Sequence, residues 1–153
     1  MGLTNEELTK YVRLFHGTVF RLAFSYVHER AEAEDVCQDA FLKLMSYRGR
    51  FETPENAKAW LIRVTINLSK NTLRSGRFTR RADADENLMS SDGEHRELYE
   101  AVLSLPPAYR AAIHLHYYEG YSVKEIARIT GSSVTAVTSR LERARKKLKA
   151  LLE

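Results

Sequence analysis

The residues of this chain whose types best suit catalysis are His114, His116 and Glu119, three groups that could bind a metal ion and activate water. Their spacing argues against that chemistry, because residues two apart on a helix point about 200° apart and cannot easily share one ion. The sequence also contains no glycine-rich phosphate loop, no nucleophile elbow and no Cys-x-x-Cys pair. We therefore expect no metal site, no cofactor and no catalysis by this chain alone.

A different chemistry, nucleic-acid binding, is indicated by residues 122–149. Ser122 and Glu125 have the spacing of a capping box, which begins a helix, and Gly131 suits the turn that ends it. Apolar residues at helical spacing predict an inward face made of Ile126, Ala127, Ile129, Val134, Val137 and Leu141. Two short helices around a tight turn are typical of a helix-turn-helix, although an ordinary helical hairpin with a solvated basic face gives the same pattern.

The second helix of this pair has the properties of a recognition helix. Ser132 or Ser133 can cap its N-terminus. The side chains predicted to point outward near that end are mostly small or polar: Thr135, Ala136, Thr138, Ser139, Glu142 and Arg143. Such side chains allow a helix to enter the major groove of DNA, which is about 12 Å wide.

Charge is distributed unevenly along the chain. The net charge is +4, but residues 106–153 hold nine basic and four acidic residues, whereas residues 76–105 hold four basic and seven acidic ones. A basic C-terminal module behind an acidic spacer suits a polyanionic partner at one end. Basic helix ends also serve solubility, so the charge supports DNA binding without proving it.

Length and composition restrict the class of protein. The chain has 153 residues, of which 44% are hydrophobic and 29% charged, so it can bury one core or two small ones. No apolar run approaches the roughly 20 residues of a membrane span, and the N-terminus lacks a signal-peptide core. Cys37 is the single cysteine, which suits the cytoplasm and a small packing residue.

Three helices are predicted in the N-terminal half, over residues 4–28, 32–46 and 53–73. A capping box begins the first, and a Thr-Pro pair begins the third. Trp60 lies on the apolar stripe of the third helix, where we favour a core position over base stacking. No segment alternates with a period of two, so we expect an all-α fold.

A break in helical periodicity separates the two halves. The stretch from residue 75 to 93 is rich in Gly, Ser and Asp, which is typical of a linker. Helices are expected again from residue 94 to 104 and from Pro106-Pro107 to about residue 118. We therefore predict two small helical domains, residues 1–75 and 94–153, joined by a flexible linker at residues 76–93.

Three stretches carry a family resemblance: EAEDVCQDAFLKLM at residues 32–45, AWLIRVTINLSKNTLR at 59–74, and the stretch from LPPAYR to ARKKL at 105–148. They are similar, in that order, to region 2.2, to regions 2.3 and 2.4, and to region 4 of the bacterial sigma-70 family. With their spacing and the linker, the chain resembles a group IV sigma factor, the extracytoplasmic-function (ECF) type. The resemblance implies a region 2 three-helix unit and a region 4 helix-turn-helix.

The resemblance implies that the second helix binds the clamp helices of the polymerase β′ subunit. The positions that match are Asp35, Gln38 and Asp39, with Leu42 and Met45 as apolar partners. Gln38, Asp39 and Leu42 lie three, four and seven residues after Asp35, which places these four side chains on one helical face. A solvated acidic face is the alternative that the same spacing allows.

The resemblance also implies that residues 48–55 and the helix after them capture the promoter −10 element. An opened duplex exposes a base that must be unstacked and held, which suits aromatic, amide and cationic groups. Asn67 matches the family asparagine that contacts the flipped non-template base. Arg50 and Phe51 are expected at the rim of that pocket, and the expected phosphate contacts are Lys70, Asn71 and Arg74.

In region 4, the recognition helix is expected to read the −35 element. The resemblance places at this element Ser133, Thr135, Thr138, Ser139, Arg140, Glu142, Arg143 and Lys146, with Arg145 also toward phosphates. Thr138 and Glu142 depart from the family pattern, which often has a basic residue at the first position and seldom an acid at the second. A glutamate can accept a hydrogen bond from cytosine, repel phosphates, or pair with Arg145 or Lys146.

The resulting hypothesis is a sigma factor that binds core RNA polymerase through β′ clamp helices and the β flap, and binds promoter DNA at a specialised regulon. An anti-sigma factor is an expected partner, whereas a small-molecule substrate and membrane insertion are not expected. The main alternative is a stand-alone helix-turn-helix repressor or activator, which would need dimerisation to read a palindrome. A metal-dependent hydrolase is disfavoured by the histidine spacing described above.

Overall fold

The fold is known from a computed structural model, which describes residues 2–75 and 93–153. The chain divides into two compact units, Met1–Phe78 and Thr79–Glu153. Both described ranges consist of helices and connecting turns, with no strand in either, which confirms the all-α prediction. Residues 76–92 of the predicted linker lie outside the described residues, and Gly93 begins a helix.

Three helices form the first unit: α1 (Asn5–Val27), α2 (Arg30–Met45) and α3 (Pro54–Arg74). Their ends lie within two residues of the predicted boundaries, and local signals set the starts of α1 and α3. The Thr4 side chain accepts a hydrogen bond from the backbone of the third helical residue and completes a capping box. The Thr53 side chain caps α3 immediately before proline, as predicted.

The core of the first unit lies where the three helices pack on one another. Leu22, Leu44 and Leu61 come from α1, α2 and α3 and are fully buried. Burying a leucine side chain contributes about 1.5–3 kcal/mol, so this seam stabilises all three helices together. Cys37 is buried in one cluster with Leu44 and Leu61, and Trp60 packs against that cluster, so both residues have the packing roles predicted for them.

The second unit contains α4 (Gly93–Leu103), α5 (Pro107–Ile113), a π-helical turn π1 (His114–Tyr118), α6 (Val123–Thr130) and α7 (Val134–Leu152). The helix predicted from Pro106 to residue 118 is therefore α-helical only in its first half. In its second half the backbone hydrogen bonds join residues five apart, as in a π-helix. For example, the Glu119 N–H donates to the His114 carbonyl.

Local signals also fix the helix-turn-helix. Ser122 and Glu125 form both hydrogen bonds of the predicted capping box, and Gly131 ends α6 with φ of 72°. Of the two candidate serines, Ser133 caps α7 by accepting from the Ala136 N–H. No described helix has the length and apolar character that a membrane span requires.

The predicted inward face of the helix-turn-helix is buried except at Val134. Five of its six members are buried, namely Ile126, Ala127, Ile129, Val137 and Leu141, whereas Val134 is 47% exposed. The prediction for Val134 was wrong because this residue opens α7 and lines a shallow groove beside Ala127 and Arg128. It has no preceding helical turn to cover it.

Candidate functional site

One side of α2 carries all five residues predicted to bind polymerase. Asp35, Gln38 and Asp39 are exposed, and the Leu42 and Met45 side chains are 52% and 65% exposed. The opposite side of α2 is buried, so packing leaves these five side chains free to face outward. We call this surface the α2 face. Exposed apolar groups rimmed by polar side chains are typical of a protein-binding surface.

A cleft joins the α2 face to the C-terminal half of α3. Asp35, Gln38 and Asp39 line one wall, and Asn71 lines the other with Leu68, Thr72 and Ser75. Residues predicted for polymerase binding and for −10 binding are therefore brought together in one cavity. Sequence spacing alone did not predict this proximity, because it depends on how α2 packs against α3.

The outer side of α3 presents the polar residues predicted to bind −10 DNA. Asn67, Lys70, Asn71 and Arg74 are exposed. The last three lie three, four and seven residues after Asn67, which places all four on one side of the helix. The Arg74 guanidinium donates a hydrogen bond of 2.8 Å to Asn71 Oδ1. This bond fixes the amide of Asn71, so that its NH₂ group is free to donate to a base or a phosphate.

The loop between α2 and α3 is held by aromatic stacking. The Tyr47 and Phe51 rings are nearly parallel with centroids 4.5 Å apart, and Trp60 lies 5.2 Å from Tyr47 and 6.0 Å from Phe51. Phe51 is half-buried in this cluster, with Tyr11 packed edge-on against it. Phe51, which was predicted at the rim of a base pocket, thus also anchors the loop to the three-helix unit.

Arg50, one of two exposed arginines in this loop, contacts a residue in a way that sequence reasoning did not predict. Its Nη2 atom donates to Glu7 Oε2 of α1 at 2.5 Å, while Glu7 Oε1 accepts from the Thr4 N–H at 2.9 Å. The hydrogen bond from Thr4, helped by the charge of Arg50, lowers the pKa of Glu7. The capping box predicts Glu7 as a helix cap, but no local signal indicates its second partner.

The outward side of α7 presents the residues predicted for −35 DNA. Thr135, Glu142, Arg143 and Lys146 are exposed, and the half-buried members of the set are Thr138, Ser139 and Arg140. Ser133 is exposed, but its hydroxyl accepts from the Ala136 N–H and so caps the helix. Side chains of this kind on a helix behind a capped turn can reach base edges in a major groove.

Two arginines on α7 are held by hydroxyl groups from other parts of the unit. Arg140 donates to Ser132 Oγ in the turn at 3.3 Å, and Arg145 donates to the Tyr117 hydroxyl of π1 at 2.9 Å. Arg145 therefore bonds to Tyr117 rather than to Glu142, which was one of its predicted partners. Neither hydroxyl was predicted as a partner.

The histidines of π1 have separate partners. His114 Nε2 lies 3.2 Å from Glu119 Oε2, and both side chains are largely buried. His116 Nδ1 lies 2.7 Å from the Tyr121 carbonyl oxygen. Within the described ranges no three His, Cys, Asp or Glu side chains are grouped as a metal site requires. The two imidazoles instead stabilise the turn that leads into α6.

Comparison with protein-family models identifies both units. Residues 11–79 match the model described as sigma-70 region 2, and residues 95–148 match the one described as sigma-70, region 4. The first match contains the α2 face and the outer side of α3, and the second contains the helix-turn-helix.

Curated relatives are sigma factors. The RNA polymerase sigma factor SigV of Bacillus subtilis (strain 168) is 33% identical over 138 residues, which cover 87% of this chain and 83% of that protein. The ECF RNA polymerase sigma-E factor of Escherichia coli (strain K12) is 32% identical over 134 residues, covering 74% and 70% respectively. Relatives of this kind are initiation factors and not enzymes.

Solved structures give the same result. The sigma factor RpoE in complex with the anti-sigma factor NepR, from Bartonella quintana, aligns with a TM-score of 0.77 at 26% identity over 94% of this chain and 95% of that one. CnrH in complex with the cytosolic domain of CnrY aligns with a TM-score of 0.74 at 29% identity over 97% and 89%. The alternative of a stand-alone repressor or activator is not favoured by these matches. The chain belongs to the sigma-70 family, in its extracytoplasmic-function group of RNA polymerase sigma factors.

Proposed function

We propose that this sigma factor binds core RNA polymerase through the α2 face. The observation that carries the proposal is the exposure of Leu42 and Met45 beside Asp35 and Asp39 on one side of α2. A partner helix with basic and apolar groups, such as a β′ clamp helix, would cover the apolar side chains and pair with the carboxylates. The Gln38 amide between them can donate and accept.

The outer side of α3 and the loop before it then bind the −10 element. Asn67 contacts the flipped non-template base, Lys70, Asn71 and Arg74 hold the backbone, and Arg50 and Phe51 bound the base pocket. The shared cleft between the α2 face and Asn71 supports this arrangement, because polymerase binding and −10 binding would then occur side by side.

Helix α7 binds the −35 element in the major groove. Thr135, Thr138, Ser139, Glu142 and Arg143 face the bases, while Arg140, Arg145 and Lys146 reach phosphates, and Ser133 orders the start of the helix. Residues 1–75 and 94–153 act as the two binding domains, joined by the linker at 76–93. The second domain also contacts the β flap.

We further propose control by an anti-sigma factor and action in the cytoplasm. Two related structures are complexes of this kind: one holds the sigma factor RpoE with the anti-sigma factor NepR, and the other holds CnrH with the cytosolic domain of CnrY. The exposed side chains of Leu42 and Met45 form an apolar surface that such a partner could cover when polymerase is absent.

Run-off transcription with purified core polymerase tests the proposed function. We expect core-dependent initiation on promoters selected from a random duplex pool, and no initiation by the Asp39→Arg variant, because the reversed charge meets a basic partner. Glu6→Arg makes the same charge reversal on the exposed first turn of α1 and is expected to retain activity. A wild-type chain that binds a palindrome tightly without core, and initiates nowhere with it, would overturn the proposal.

A further inference from the structure

Arg140 and Arg145 lie on opposite flanks of the outward side of α7. Successive residues of an α-helix are about 100° apart, and the buried residues Val137 and Leu141 define the inner side. Measured from that side, Arg140 falls on one flank and Arg145 on the other, with Ser139 facing outward between them. A helix in a major groove has one phosphate backbone along each flank, so each arginine is placed toward a different strand.

On its flank of α7, Arg145 is hydrogen-bonded to Tyr117 of π1. Arginine is only a donor, so the tyrosine oxygen accepts the 2.9 Å hydrogen bond from Arg145. Tyr117 is 58% exposed, so the guanidinium that it holds lies at the surface of the unit. A phosphodiester oxygen can reach the remaining N–H groups of Arg145 there.

The turn that carries Tyr117 is fixed from within the second unit. His114 lies 3.2 Å from Glu119 with side chains only 14% and 6% exposed, and His116 contacts the Tyr121 carbonyl oxygen at 2.7 Å. These contacts stabilise the π-helical turn, in which Tyr117 follows His116 directly. The His-x-His motif, which is unsuited to a metal, thereby holds the tyrosine in place.

We propose that Tyr117 is a positioning residue for promoter binding, which holds Arg145 against a backbone phosphate on one strand of the −35 element. The tyrosine restricts the long arginine side chain before DNA arrives, so less side-chain entropy is lost on binding. This inference rests on the proposed function, because it requires α7 to lie in the −35 major groove.

Holoenzyme assembled from the full chain and core polymerase provides the test, with a promoter fragment that the wild-type holoenzyme selects from a random duplex pool. The Kd is measured across a range of salt concentrations. Arg145→Ala should weaken binding to all sequences and reduce the salt slope by about one. Tyr117→Phe should raise the Kd by about three- to tenfold and have no further effect when Arg145 is already alanine.

Tyr118→Phe is the matched control, since it removes the hydroxyl of the adjacent exposed ring, which stacks on His114. It should leave the Kd unchanged, and all variants should unfold at the wild-type temperature. The inference is overturned if Tyr117→Phe binds like the wild type, or if its effect is as large without Arg145. If wild-type holoenzyme selects no promoter, the proposed function fails first and this inference fails with it.

Discussion

Arg50 in the loop before α3 is bonded to Glu7 in the first turn of α1, across 43 residues of sequence, at 2.5 Å. The same carboxylate closes the capping box of α1. The start of the chain and the loop proposed to bind −10 DNA are therefore joined through one side chain. A surface ion pair contributes little to stability, so its effect is expected on the position of the loop.

Glu7→Gln should weaken promoter opening by about two- to threefold, because glutamine keeps the cap but loses the charge that holds Arg50. Permanganate reactivity of −10 thymines in holoenzyme complexes measures this opening. Glu125→Gln makes the same change in the capping box of α6 and should have no effect on it. If Glu7→Gln instead increases promoter opening, the ion pair with Glu7 keeps Arg50 away from DNA and does not position it for binding.

The two capping carboxylates also predict acid sensitivity. Hydrogen bonds with the backbone of Thr4 and of Ser122 lower the pKa of Glu7 and of Glu125 from the ordinary value of 4.5. Because the folded-state pKa is the lower one, the stabilisation is present above pH 4.5 and is lost as the pH falls through the folded value. The urea concentration at the midpoint of unfolding should therefore fall as the pH is lowered below 4.5. The fall should be less steep in the variant that carries both Glu7→Gln and Glu125→Gln. An equal dependence on pH in the wild type and this variant would show that the two capping carboxylates do not cause the acid sensitivity.

Sequence predicted the helices because their signals are local. The capping boxes at Thr4 and Ser122, the Pro54 start and the Gly131 turn each act within four residues, and all four are found as predicted. The spacing of residues 35–45 likewise placed the α2 face correctly, since one buried stripe leaves one exposed side.

Contacts between distant residues could not be predicted in this way. The Tyr117–Arg145 bond joins residues 28 apart, and the contact of His114 with Glu119 spans five residues across the π-helical turn. Helical periodicity assumes steps of three and four, so it predicted an uninterrupted α-helix there. Val134 was misplaced for a related reason, because periodicity does not show that the first residue of a helix has no preceding turn to cover it.

Cys37 should be unreactive in the folded protein. Burial, with the nearby carboxylate of Glu34, raises the pKa of its thiol to about 11. We expect a thiol reagent such as DTNB to react at pH 7.5 roughly a hundredfold or more slowly with native than with urea-unfolded protein. The chain has one cysteine, so the unfolded protein should release one equivalent. Equal rates in both states would contradict the burial of this side chain.

Asn67→Ala should reduce promoter opening about tenfold while leaving core binding unchanged, since the amide is proposed to hold an extruded base. Abasic substitutions along the non-template −10 strand sharpen the test. At the position that Asn67 contacts, the wild type and the variant should become equal, because the base is already missing. Asn56→Ala at the other end of α3 serves as the control. A constant tenfold difference on every abasic template would exclude base contact by Asn67.

Glu142 should set one base of the −35 element. Its side chain is exposed on the outward side of α7, and Arg145, one of its predicted partners, donates to Tyr117 instead. A carboxylate in a major groove can accept from the cytosine amino group, and each good base contact is worth about 1–3 kcal/mol of discrimination. Glu142→Ala should therefore lose preference at one position in promoter selection by about tenfold.

Glu142→Gln separates base reading from charge repulsion at this position. A glutamine pairs with adenine N6 and N7, so the selected base should change from cytosine to adenine on the contacted strand. If Glu142 acts only by repelling phosphates, both variants should instead bind all sequences more tightly and retain the wild-type preference. Lys147→Ala removes an exposed charge from α7 and should weaken binding without altering the selected sequence. An unchanged base preference in both Glu142 variants would remove this residue from the base-reading set.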